Sequence, residues 1–167
     1  IAVQASLTGH LVLSTVHTNS AVGAITRLRD MGVEPFLLSS TVAGVMAQRL
    51  IRRLCPSCKI AYQASPAEKE MLDIAAEQEL TLHKPDGCGR CNQTGYEGRL
   101  GIYELIVSDD KVKKLIHTDA SEQDLAAYAF RGAETLVQSG FDHVIAGNSS
   151  IEEVMRVVQK DRVAEVD

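Results

Sequence analysis

The chain has no tryptophan, only 4% aromatic residues, and four prolines among its 167 residues. No run of about 18 apolar residues occurs, which excludes a helical membrane span. No Gly-Lys dipeptide occurs either, so the Gly-x-x-x-x-Gly-Lys-Ser/Thr loop that cradles a triphosphate is missing from these residues. The formal net charge is -5, and with so few aromatics the chain lacks the basic, ring-rich face that nucleic acid requires; the same charge argues against broad binding to anionic membrane. There is no secretory signal pattern, no internal repeat and no low-complexity linker. No Ser-His-Asp ordering suggests a nucleophilic triad. Hydrophobic content of 45% is nonetheless enough for a real core. The first residue is Ile1 and patterned sequence begins at once, so the chain reads as the back portion of a longer protein.

Cysteine is scarce but organised. All four cysteines fall in two pairs, Cys55-Pro56-Ser57-Cys58 and Cys88-Gly89-Arg90-Cys91. Two such knuckles supply four thiolates to one tetrahedral ion, and a structural zinc site is the leading reading. Pro56 presets one loop, while Gly87 and Gly89 permit a tight path in the other. Arg53, Lys59, Lys84, Arg90 and Arg99 lie near enough in sequence to offset the excess negative charge of four sulfurs around a dication. Disulfides, a redox pair or simply reduced cysteines remain as alternatives.

Along the chain, Leu11 to Val16 is a short β-branched run that reads as a buried strand. His17-Thr18-Asn19-Ser20 then leads into a helix from Ala21 to Met31, stopped by Gly32. A second helix is expected from Pro35 to Leu54, where Val42, Val45, Met46 and Leu50 share a face and arginines gather at the end. Between the knuckles, Ser65-Pro66-Ala67-Glu68 is a capping box opening a short polar helix from Glu68 to Leu80. Leu100 to Val107 reads as a strand. Further helices are expected over Asp109–His117, after Ser121, over Gly140–Ile145 and over Ile151–Arg162. The divisions are 1–54, 55–99 for the metal segment, and 100–167 for a strand with a helical subdomain.

The strand-to-helix turn is the candidate ligand site, because helix starts offer N–H groups to anions. His17 stands there, with Thr15, Thr18 and Asn19 as further hydrogen-bonding groups and His10 as a second histidine. Local hydrogen bonding is the competing and commoner state for such a histidine. His83, His117 and His143 read as surface residues. Arg27 and Arg29 read as solvated ion pairs or as groups facing a neighbouring subunit, and the acids Asp109-Asp110 and Glu152-Glu153 as helix-start charges.

The stretch Leu7-Thr8-Gly9-His10-Leu11-Val12-Leu13-Ser14-Thr15-Val16-His17-Thr18-Asn19 resembles the histidine box of the secretion-superfamily traffic ATPases. Val22 to Gly32, Pro35-Phe36 and Ala47-Gln48-Arg49-Leu50 leading to Cys55 are similar to the type II secretion branch, the general secretory pathway protein E family. Gly87 to Cys91 followed by Gly95 to Glu104 is similar to its tetracysteine segment. The type IV pilus assembly ATPases share this plan and are the alternative, as is a non-catalytic zinc-ribbon module. The resemblance implies an α/β fold, the distal part of a RecA-like P-loop ATPase domain carrying a zinc-binding insert and a C-terminal helical subdomain. It implies zinc at Cys55, Cys58, Cys88 and Cys91, with ATP and Mg2+ bound by the full-length protein. It further implies a homo-hexamer in the cytoplasm, peripheral to the bacterial inner membrane, that drives a pseudopilus and meets the cytoplasmic domain of the general secretory pathway L-type protein. His17, and less directly His10, would then approach the γ-phosphate, while the phosphate loop and acidic boxes would precede this stretch. The 167 residues alone are expected to hydrolyse no ATP.

Overall fold

The computed structural model describes the backbone of residues 1–163 and the side chains of residues 1–158. Its helices are α1 (Ala2–Leu7), α2 (Ala21–Asp30), α3 (Pro35–Thr41), α4 (Pro66–Met71), α5 (Asp110–His117), α6 (Glu122–Ala129), α7 (Leu136–Ile145) and α8 (Ile151–Val163). Its strands are β1 (Gly44–Leu54), β2 (Ile60–Gln63), β3 (Thr81–Lys84) and β4 (Tyr96–Val107). β1 pairs with β4, and β2 with β3, each as a two-stranded sheet. The chain divides into two compact units, one of residues 1–47 and 103–135, the other of 48–102 and 136–167. None of the described helices is long and apolar enough to cross a membrane.

The first unit is built on helix packing. α3 lies against α5 and α1, and α2 against α6. Val22, Ile25, Leu38, Ile106, Val112, Ile116 and Leu125 form its buried centre. Helix starts follow side-chain chemistry: the Ser20 hydroxyl accepts from Gly23 N at 3.0 Å, Asp109 from Val112 N at 2.7 Å, and Ser121 from Asp124 N at 3.1 Å. Arg29 is not a solvated charge. Its guanidinium donates to the carbonyls of Ile116 and Ala120 at 3.1 and 2.8 Å, capping the end of α5, and lies 3.2 Å from Asp119.

The second unit centres on Ile51, Leu54, Leu82, Ile102, Leu136, Val144 and Val154. The insert between the knuckles has its own structure, with Ile60 paired to Lys84 and Gln63 to Thr81 across the β2–β3 hairpin. The capping box of α4 is formed: Glu68 N donates to the Ser65 hydroxyl at 3.3 Å, while the Glu68 carboxylate accepts from Ser65 N at 2.8 Å. α7 packs on α8 where Gly140 leaves room, since a β-carbon there would stand 2.5 Å from Val154 Cγ1.

Three expectations from sequence are corrected. Leu11 to Val16 forms no strand, and Leu11 and Leu13 stand 84% and 89% exposed. A strand needs a neighbour, and this run pairs with none among the described residues. The expected Pro35–Leu54 helix stops at Thr41, and Gly44–Leu54 is strand β1. Ala47 and Ile51, both buried, are four residues apart, a spacing that fits the strand period of two as well as the helix period. Pairing with β4 selects the strand. Finally, α4 ends at Met71 rather than Leu80, because Asp73 takes a left-handed φ of 55° and Ile74 N turns back to Lys69 O at 2.8 Å.

Candidate metal centre and histidine segment

The four cysteines come from two turns at the ends of β1 and before β4. Cys58 N and Lys59 N donate to Cys55 O, closing the first turn, and the second is a 3-10 turn over Gly89–Cys91 followed by Asn92 and Gln93 at positive φ. Gly95 is required here. With φ of 74°, any β-carbon would sit 2.5 Å from Pro85 Cβ and 2.8 Å from Asp86 O. The turns converge so that all four Sγ atoms lie within 4.8 Å of one another, with Cys55–Cys88 at 3.9 Å, Cys58–Cys91 at 3.8 Å and Cys88–Cys91 at 3.7 Å. A disulfide needs about 2.05 Å, so these sulfurs are not bonded to each other. Zinc–sulfur bonds of about 2.3 Å in a tetrahedron put sulfurs about 3.8 Å apart. These three edges match that figure, and the remaining ones stay within 4.8 Å.

Electrostatics act in opposite directions on two of the sulfurs. Burial alone would resist ionisation of Cys91, but its Sγ accepts from Cys88 N at 3.3 Å and Gly95 N at 3.2 Å, and these bonds bring the thiol down to about 6. Cys58 is pushed up to about 12 by burial and by the neighbouring sulfurs. Four thiols crowded together cannot all ionise unaided, and a dication at their centre removes that obstacle. Of the basic residues expected to help, Arg90 pairs with Glu97 at 2.7 Å and has its charge further favoured by Cys55 and Cys88. Lys59 instead donates to Gly147 O at 2.7 Å, and Lys84 lies over the Tyr62 ring at 6.0 Å. The donor set fits a structural metal, which Cys55, Cys58, Cys88 and Cys91 would hold with no position left for substrate.

The histidine segment has a different character. His10, Thr15 and His17 are exposed, and Thr18 and Asn19 half-buried. Thr8 Oγ1 gives its proton to Ala5 O at 2.8 Å, so its 3.0 Å contact with His10 Nδ1 makes the imidazole the donor. No hydrogen bond joins His10 to His17 among the described residues. Thr18 Oγ1 donates to Ser20 O at 3.1 Å, a local turn that delivers the chain into α2. At the start of α2, Ala21 N is taken at 2.6 Å by the Glu104 carboxylate from β4, and Gly23 N by Ser20. These amides are engaged, so a ligand at this turn would meet side chains first.

Sequence reasoning missed the roles of Glu104 and Glu153, and only Glu104 carried a signal. Ile102, Glu104 and Ile106 alternate on the buried face of β4, and Glu104 is only 6% exposed. Glu153 N does bond the Ser150 hydroxyl, as a helix start requires, but its carboxylate is a buried hub for Arg52 and Arg156 rather than a surface charge. His83 is half-buried rather than fully exposed: its Nδ1 is buried against Gly147 without a hydrogen-bond partner among the described residues.

A family model described as Type II/IV secretion system protein matches residues 1–156. The chain belongs to that family. Among relatives of this secretion family, it is 55% identical to "Type II secretion system protein E" of Pseudomonas aeruginosa and 51% identical to "Type II secretion system ATPase E" of Vibrio cholerae, each over 96% of its length. It is also 51% identical, over 94% of its length, to "Putative type II secretion system protein E" of Escherichia coli. The chain spans 32% of the length of each of these secretion relatives. Its fold is similar to a solved pilus retraction motor, PilT with bound ADP, at a TM-score of 0.59 and 21% identity, covering 93% of this chain and 34% of that one.

Proposed function

We propose that these residues are the distal part of a RecA-like secretion ATPase that powers type II protein export by driving a pseudopilus. The observation that carries this is 51% identity, over nearly the whole chain, to a protein named a type II secretion system ATPase. In this reading the longer protein is a hexamer on the cytoplasmic side of the inner membrane, binding ATP and Mg2+ and docking on the cytoplasmic domain of an L-type secretion protein. His17 reaches the γ-phosphate region, with Thr15, Thr18 and Asn19 orienting it and His10 further out. The exposure of His17 supports this, since a histidine that senses phosphate must be reachable. Zinc supplies folding free energy and no redox chemistry, which suits an insert with a small core of its own. The pilus assembly branch is the second reading; the family model, described as Type II/IV secretion system protein, spans both.

The test is phosphate release from a longer polypeptide in which this stretch follows a phosphate-binding loop. His17→Ala is expected to lower ATP turnover at least tenfold while leaving the protein folded, and the 167 residues alone are expected to release none. Undiminished turnover in the His17 variant would overturn the role of the histidine segment. Turnover by the isolated chain would overturn the need for an upstream loop.

A further inference from the structure

The turn between α7 and α8 and the start of α8 are hydrogen-bonded to residues flanking the metal knuckles. Cys91 Sγ accepts from Gly95 N, and Gly95 O accepts from Cys55 N at 2.9 Å, so one sulfur and both turns already share a backbone link. The residue before Cys55 and the residue after Gly95 then tie to the turn between α7 and α8. Leu54 N donates to Asn148 O at 2.8 Å, and Tyr96 Oη lies 2.8 Å from the Ser150 hydroxyl that accepts Glu153 N at the start of α8. Ser149 Oγ donates to Arg52 O at 2.8 Å, and Lys59 reaches Gly147 O. Gly147, at φ 68°, presses so closely on His83 of the insert that a β-carbon would stand 2.8 Å from its Nδ1.

Glu153 closes the series. Its side chain is wholly buried, and its carboxylate accepts from Arg52 N at 3.0 Å, from Arg52 Nε and Nη2 at 2.9 and 2.6 Å, and from Arg156 Nε and Nη2 at 2.8 and 2.7 Å. Arg52 in turn stacks on the Tyr96 ring at 4.1 Å. A buried carboxylate is tolerable only while its donors hold position. One of those donors is a backbone amide three residues from Cys55. If the knuckles lose their ion and loosen, Arg52 N moves with them, and burial of Glu153 becomes unfavourable.

We propose that the metal knuckles and the α7–α8 hairpin form one cooperative latch, in which the 147–150 turn and Glu153 grip the chain beside both cysteine pairs and loss of the metal frees the start of α8. The inference rests on the metal reading of the four cysteines and adds to it a moving element. Coupling of this kind is reciprocal: whatever the ion contributes to docking of α8, docked α8 returns to retention of the ion. Glu153 is thus a positioning residue for metal retention, although it is no ligand.

Two measurements on the full chain test this. The first is amide exchange across residues 151–158 with zinc bound and after its removal by a chelator. Exchange there is expected to rise at least tenfold on removal, while α5 in the other unit stays protected. The second is transfer of zinc to a chromogenic chelator, where Glu153→Gln is expected to speed release about tenfold with an unchanged ratio of one ion per four cysteines. A chain that binds zinc but shows the same α8 exchange with and without it overturns the latch and leaves the metal site standing. A chain that takes up no zinc overturns both. Because the first measurement uses the unaltered sequence, poor folding of the variant does not remove the test.

Discussion

The two compact units solve the problem of stability differently. In the first, short helices with side-chain caps pack around Ile25, Leu38 and Ile116, and the histidine segment lies open beside them. In the second, an insert with two short paired strands and a helix of six residues is gathered around four sulfurs, and the Glu153 carboxylate is buried against Arg52 and Arg156. Apolar burial can be spread over many positions and fails gradually. A metal clasp would concentrate stability in a few atoms, whereas a buried carboxylate is common to both units, Glu104 in the first and Glu153 in the second. The second unit should therefore fail abruptly when one group is removed, and the first should not.

The largest effect that sharpens this contrast is removal of the metal. Zinc bound by a four-thiolate site contributes apparent folding free energy on the order of 10 kcal/mol. Cys91→Ser or chelation is thus expected to abolish protection from amide exchange in β2, β3 and the knuckles while α5 and α6 keep theirs. A uniform loss across both units would break the comparison. Next come matched core deletions. Leu82→Ala and Ile116→Ala each remove a wholly buried aliphatic side chain, and each should cost roughly 3 kcal/mol in urea unfolding when zinc is bound. After chelation only the Leu82 cost should disappear, because the element it stabilises would already be open.

A smaller effect, of roughly 2 kcal/mol, is expected for Glu153→Gln, since charge-assisted bonds are replaced by neutral ones. Burial opposes ionisation of Glu153, but Arg156 and Arg52 outweigh it and hold the carboxyl at about 2, against an ordinary value of 4.5. The folded value is the lower one, so this stabilisation is complete above about pH 4.5 and is lost as pH falls towards 2. The difference in stability between the parent and Glu153→Gln should shrink across that window, and a constant difference would show that the charge is not responsible. The smallest effect belongs to the first unit: Ser20→Ala removes the cap of α2 and should cost about 1 kcal/mol, with no change in zinc release.

Much of the molecule was legible before any coordinates. Ser20, Ser65, Asp109 and Ser121 announce helix starts because a cap is a local bond between neighbours in sequence. The two cysteine pairs announce a cluster of four sulfurs for the same reason, since each turn is set by four consecutive residues. Reading failed where the deciding partner was distant. Gly44–Leu54 carries a pattern compatible with either period, and only β4 resolves it. Leu11 to Val16 has strand composition without a strand beside it. The attachment of residues 136–163 to the metal segment left no local trace, because Arg52 and Glu153 are unremarkable charges until they meet.

By itself the sequence determined which residues cap helices and which four sulfurs fall into two local turns, since those properties belong to a side chain and its near neighbours. Tertiary structure alone decided which amides Glu104 and Glu153 serve, that β1 is a strand, and that the 147–150 turn bonds to residues flanking the cysteines. These choices depend on burial and on pairing across many residues, and their free energy exists only once both partners are in place.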